Sequence, residues 1–182
     1  MATQSNENHR VEILLISENT LKSESYINDN VPSEMILPSI VSAQDMHLQP
    51  ILGCNLYNKL KDLVRAAMFD DEEVPEPYKE LLDTYIRPFL CFAVTADLQI
   101  PLAFKNRAAG AGVQSNNEYS YNSTREEVTM LKNYYTDKMN FYQFRIQDYL
   151  KNNRTQFPEL NGDCGCGSDL KQPGFECGLF LD

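Results

Sequence analysis

Histidine and clustered positive charge, on which much protein chemistry depends, are scarce in this chain. The only histidines are His9 and His47. Lysine and arginine together number 16 against 26 aspartates and glutamates, no two of them are adjacent, and the formal net charge is −10. Duplex affinity comes largely from neutralising phosphates, so scattered basic residues argue against direct DNA binding. Such a chain could still surround DNA without gripping it. Long apolar runs are also lacking, and none approaches the roughly 20 residues a membrane span needs. The opening MATQSNENHR is polar, and VEILLI at 11–16 is too short for a signal region, so the expected compartment is the cytosol of synthesis. Cysteine is odd in number: Cys54 and Cys91 in apolar helical contexts, and Cys164, Cys166 and Cys177 near the end. That is no disulfide framework.

Catalytic signatures are missing as well. KNRAAGAG at 105–112 invites a phosphate-loop reading, but Lys105 precedes the glycines instead of following them into a helix. Neither G-x-S-x-G nor H-E-x-x-H occurs. His47 and Cys54 are close in sequence, yet no third orienting group stands out, so both read as packing residues, as does Cys91. In the tail, Cys164, Cys166 and Cys177 with Asp163 suggest a metal site, but C-x-C spacing and the missing fourth thiolate or imidazole argue against zinc. The reading is a non-enzymatic protein with no cofactor.

Enough is present for one domain with tails. Hydrophobic residues make up 42% of 182, with ten tyrosines and nine phenylalanines. Residues 1–10 read as a disordered arm and VEILLIS at 11–17 as a strand or extended segment. A helical turn follows Thr20. Ser33 caps the next helix, whose Ile36, Ile40, Ala43 and His47 share one face; Pro38 either kinks it or begins it, and Pro50 stops it. Gly53 permits a reversal, after which Leu56, Leu60, Leu63, Val64 and Ala67 form an apolar face capped by Asn55. DDEEVPEP at 70–77 is a solvated loop. Tyr78 opens a strongly apolar helix kinked at Pro88 and central to the core beyond it. From about 101 to 122 the pattern gives way to a long loop of β-hairpin character, a candidate projecting arm. S-x-x-E at Ser123–Glu126 then caps a helix over 124–151, about 40 Å long. Its apolar stripe is Val128, Leu131, Tyr135, Tyr142, Ile146 and Tyr149. Pro158 ends the helical part, and 159–182 is an irregular, Gly- and Cys-containing tail. The expected fold is therefore mostly α. It is a bundle of about four helices over 11–158, with an extended loop or hairpin arm between the last two long helices and irregular ends.

The order of several segments is distinctive. ILLIS-x-x-x-L-K at 13–22 precedes YINDNV at 26–31. I-x-x-x-I-x-x-AQD-x-H-x-x-P-x-LG-x-x-LY-x-x-L follows at 36–60, then LL-x-x-YI-x-PFL at 81–90 and FKNRAAGAGVQS at 104–115. YY-x-x-x-x-x-FY-x-x-R-x-x-x-YL-x-x-N at 134–152 and FPEL complete the series. Over residues 11–160 this resembles the head-to-tail connector proteins (adaptor or ring proteins) of tailed phages, most closely the crAss-like version from phages of Bacteroides. The resemblance implies a structural virion protein, made in the host cytoplasm, of which commonly twelve copies form a closed ring beneath the portal protein. That ring would continue the DNA channel, pass DNA without specific binding, dock the next tail or ring component, and touch no membrane. It also implies where contacts would lie. An interface arm would use Phe104, Lys105, Asn106, Arg107, Val113, Gln114, Glu118, Tyr119 and Tyr121. An interface helix would use Tyr134, Tyr135, Tyr142, Arg145 and Tyr149. Phe175, Leu179 and Phe180 would dock the tail. The competing reading is a regulatory helical module that binds a partner through the same arm.

Overall fold

Ser17 organises the first helix. In the computed structural model of the protein, residues 12–107, 110–113 and 125–161 are described, with the backbone alone at 104–107, 110–113 and 161. The Ser17 hydroxyl accepts the Thr20 N–H, and helix α1 runs Glu18–Glu24, starting three residues ahead of the turn expected after Thr20. The preceding Glu12–Ile16 joins no ladder, correcting the strand option for this segment. A side chain holds it instead. Gln44, fully buried, accepts the Leu15 N–H at 2.6 Å and donates to the Ile13 carbonyl at 3.3 Å. Its amide thus stands in for a neighbouring strand and satisfies both backbone groups.

Helix α2 (Ser33–Ala43) is N-capped by Pro32, not by Ser33, whose hydroxyl donates to Glu18. Pro38 neither begins nor ends it. Glu34, four residues earlier, is exposed along with Pro38, so the carbonyl that loses its partner faces water. A π-helical turn, Gln44–Leu48, carries α2 into α3 (Gln49–Phe69). Pro50 does not stop the chain there. It sits in the first turn of α3, where a missing N–H is tolerated. The break falls at Gly53, with φ 76° and ψ 161°, a region open essentially to glycine alone. Beyond it Leu56, Tyr57 and Leu60 are buried, while Leu63 packs at the core's edge.

The acidic loop is solvent-exposed as expected, and Pro75 caps α4 (Glu76–Glu80) two residues before Tyr78. A second π-helical turn, Leu81–Ile86, leads into α5 (Arg87–Ala103). This turn ends two residues before Pro88 and accommodates the ring and the lost N–H by local widening. Together the three pieces form one helix, Glu76–Ala103, which is long and apolar enough to cross a membrane by length and composition. That revises the expectation that no apolar segment reaches such length. Half of its most apolar window is buried within the protein: Phe89, Leu90, Ala93, Val94 and Leu98 lie in the core against α2 and α6. Pro101 lies inside α5, so the helix extends past the expected boundary to Ala103.

Strands β1 (Phe104–Arg107) and β2 (Gly110–Val113) follow and pair antiparallel, Phe104 opposite Val113 and Arg107 opposite Gly110. This short ladder does not establish a projecting arm. The rest of that expected arm, with Gln114, Glu118, Tyr119 and Tyr121, and the capping Ser123 and Thr124, lie outside the described residues. Helix α6 (Arg125–Asn152) packs chiefly along α5. Two 3-10 turns, Arg154–Gln156 and Pro158–Asn161, fold the chain back. They bury Phe157 completely and rest Leu160 on the core. The architecture is mostly α.

Candidate functional site

Helix α6 has two apolar faces. The inner one carries Val128, Tyr135, Ile146, Tyr149 and Leu150, all buried, with Met139 and Tyr142 at its margin. Leu131, expected in that stripe, is instead 43% exposed. At 100° per residue it falls at the edge of the inner face, in line with Tyr149 five turns further on. The outer face carries Met130 (76% exposed), Tyr134 (49%), Phe141 (61%) and Phe144 (70%). Successive spacings of four, seven and three residues place these within roughly 80° of one another, opposite Val128 and Ile146. Isolated exposed apolar residues are ordinary, but four on one helical stripe form a patch of the kind that marks an interaction surface.

The five residues expected on an interface helix divide between these faces. Tyr149 is inward: its ring stacks on Tyr85 at 4.3 Å and its hydroxyl donates to Glu80 at 3.0 Å. Burial, then the Glu80 carboxylate, pushes its pKa up to about 12. Tyr135 is inward as well, its pKa raised by burial and then by Tyr134 and Tyr26. These two side chains pack inside the fold. Tyr142 is half-buried, stacked on Phe92 at 5.5 Å. The Arg145 guanidinium lies 5.3 Å from the Tyr85 ring centroid and 5.6 Å from that of Tyr142. Only Tyr134 shows its ring largely to solvent, with Lys138 4.8 Å above it.

Two open recesses border this helix. One of about 720 Å³ runs along its first half and is lined by Arg125, Glu126, Thr129, Met130, Asn133, Tyr134 and Asp137. A more polar one of about 490 Å³ is lined by Glu80, Tyr85, Arg145, Asp148, Tyr149, Asn152 and Asn153.

Elsewhere, polar groups act as braces. His47 Nε2 lies 3.0 Å from Asp97 Oδ2, a partner fifty residues away that spacing could not reveal. The Tyr57 hydroxyl donates to Asp45 at 2.7 Å. Together they tie the Gln44–Leu48 turn to α3 and α5. Gln49 Nε2 donates to Cys54 Sγ at 3.7 Å. Cys91 is buried and its thiol is pushed up to about 12 by desolvation first, which keeps it a neutral packing group. Among the described residues no three histidines, cysteines or carboxylates are grouped to hold a metal. Cys164, Cys166 and Cys177, and the expected tail-docking Phe175, Leu179 and Phe180, lie outside the described residues.

The outer stripe was present in the sequence as a second periodicity on the same helix. It is hidden because the stronger set at 128, 135, 142, 146 and 149 satisfies a helix by itself. Met68 and Phe69, 63% and 65% exposed at the end of α3, gave no such signal.

Fold and surface together define a mostly helical domain whose last long helix turns one apolar face to the core and another outward. Residues 48–169, more than half of the chain, match DUF6712, described as a family of unknown function, and the chain belongs to that family. No curated protein and no solved structure matches it.

Proposed function

We propose that the protein is a structural subunit of a phage head-to-tail connector, a closed ring that joins the portal protein to the tail and continues the DNA channel. The observation that carries this reading is the outward apolar face of α6. A subunit in a ring needs contact surfaces on two flanks that no monomer uses. Aromatic side chains and methionine are the residues enriched in such surfaces. The segment order noted over 11–160 supports the same reading. On it, the chain beginning at β1 and continuing to about 121 serves as a contact arm on a neighbouring copy. Each chain's net charge of −10 disfavours trapping of passing DNA by a ring built from it. Its location is the head–tail junction of the virion, after assembly in the host cytoplasm.

Electron microscopy tests this directly. Rings should form when the purified protein is mixed with portal protein, and antibody label should sit at the head–tail junction of virions. A protein that stays monomeric beside the portal protein and is missing from virions refutes the proposal.

A further inference from the structure

The two ends of the long helix Glu76–Ala103 carry opposite charge. Just ahead of it and at its first residue stand Asp70, Asp71, Glu72, Glu73 and Glu76, with no basic residue among them. All are exposed, and none is in an ion pair among the described residues. At the other end the pattern reverses. From Leu98 to Asn117 the only charged residues are Lys105 and Arg107. They are alternate residues of β1, so they fall on one face of the ladder. Their partners across it are Gly112 and Gly110, which bring no side chain. The acidic end also holds a recess of about 550 Å³. That lies within the range of roughly 300–1,000 Å³ over which sites take a ligand or a short segment. Val74, Pro75 and Leu82 give it apolar lining, and Glu73, Glu76 and Asp83 give it acid. Arg87 answers Asp83, and Lys79 is the one cation of the lining, so the recess stays negative.

Resting on the ring reading, in which this part of the chain contacts a neighbour, we infer that β1 of one copy seats in the Glu73–Asp83 recess of the next. Lys105 and Arg107 meet Glu73 and Glu76 there. The occupant is a second copy because this chain supplies the complement at a distance it cannot itself bridge. The helix between the two ends has 28 residues, or about 40 Å at ~1.5 Å per residue. The strands have four residues each, about 13 Å at ~3.3 Å per residue. A chain's own basic strand therefore falls short of its own recess. The two surfaces differ and lie at opposite ends of one rigid element. The contact is thus head-to-tail and propagates from copy to copy instead of closing as a symmetric pair.

The test is a charge swap in the full chain, followed by sedimentation velocity. One variant carries Lys105→Glu with Arg107→Glu, the other Glu73→Lys with Glu76→Lys, and circular dichroism checks that each keeps its helices. The wild type should sediment as oligomers that dissociate as salt is raised. Each variant alone sets like charge against like and should associate at least about tenfold more weakly. Their equimolar mixture should regain assembly, because each then offers the charge the other needs at both junctions. A monomeric wild type overturns the inference, and so does assembly that survives in either variant. A mixture of two helical variants that fails to recover overturns it as well. Rings that persist in micrographs of both variants sink this contact and leave the connector reading standing. Oligomers that follow the charge swap, from a protein missing from virions, sink the connector reading and leave the contact standing.

Discussion

Replacing Gln44 with methionine, which keeps the side-chain volume and removes the amide, should loosen the N-terminal segment. Gln44 accepts the Leu15 N–H and donates to the Ile13 carbonyl. If the segment stays in place, two backbone groups are stranded, each at about 1–3 kcal/mol. If it swings out to water, Ile13 and Ile16, both nearly fully buried, leave the core with it, at roughly 1.5–3 kcal/mol each. The chain takes the cheaper route, so the loss is roughly 2–6 kcal/mol. With a urea slope of about 2 kcal/mol/M, the midpoint should fall by roughly 1–3 M. Amide exchange at Leu15 should accelerate beyond what the drop in global stability accounts for. A Gln44→Glu variant adds a sign test. Only its protonated form can donate to the Ile13 carbonyl, so the folded protein raises that carboxyl's pKa above the unfolded value. The native contact is then fully present at acidic pH and is lost as pH rises through the raised value. A midpoint unchanged within about 0.5 kcal/mol of stability, with Leu15 still protected, refutes the assignment of Gln44 as a surrogate strand.

Other outcomes follow from the same structure. Gly53→Ala should destabilise by about 1–3 kcal/mol through backbone strain alone, since nothing lies within 4 Å of the added methyl; an unchanged thermal midpoint would contradict this. Tyr78 and Tyr149 both have pKa values pushed up to about 12, by burial first and then by Glu159 and Glu80. Their contribution is complete below the ordinary tyrosine range near 10 and is lost as pH rises toward 12, so stability should fall over that window. The Tyr149→Phe variant, followed by denaturant titration at each pH, should show a shallower fall. Cys91 should resist thiol reagents in the native protein and react on unfolding, as mapped by mass spectrometry; native labelling at the rate of an exposed thiol would refute its burial.

Long, regular stretches were legible from sequence because they obey one period. The inner stripe of α6 and the apolar length of α5 read directly, and both proved to be core except at Leu131. Prolines misled where local chemistry alone was considered. Pro38 remains within α2 because the carbonyl it abandons meets water, and Pro50 opens α3 because a first turn has no use for its N–H. Partnerships between distant residues were out of reach. Neither Asp97 beside His47 nor Gln44 beside Leu15 leaves a mark at any fixed spacing. The candidate surface was half visible. Tyr134 was picked out, but Tyr135 and Tyr149 were grouped with it, because a tyrosine's composition does not say which side of a helix needs it. Their hydroxyls could have gone to solvent; Glu80 gives that of Tyr149 a partner inside the subunit.

The widened turn at Leu81–Ile86 makes the helix containing it sensitive to counting. Every residue beyond it is phased from that turn, at about 100° per step. Removing a single residue there would leave a regular helix, but Phe89, Leu90 and Val94 would rotate away from the positions that α2 and α6 have shaped for them. A substitution in this stretch changes one contact, whereas a one-residue deletion re-addresses all of them at once. The segment can therefore vary in what its residues are much more freely than in how many there are, and the strands that follow Ala103 inherit the same tally.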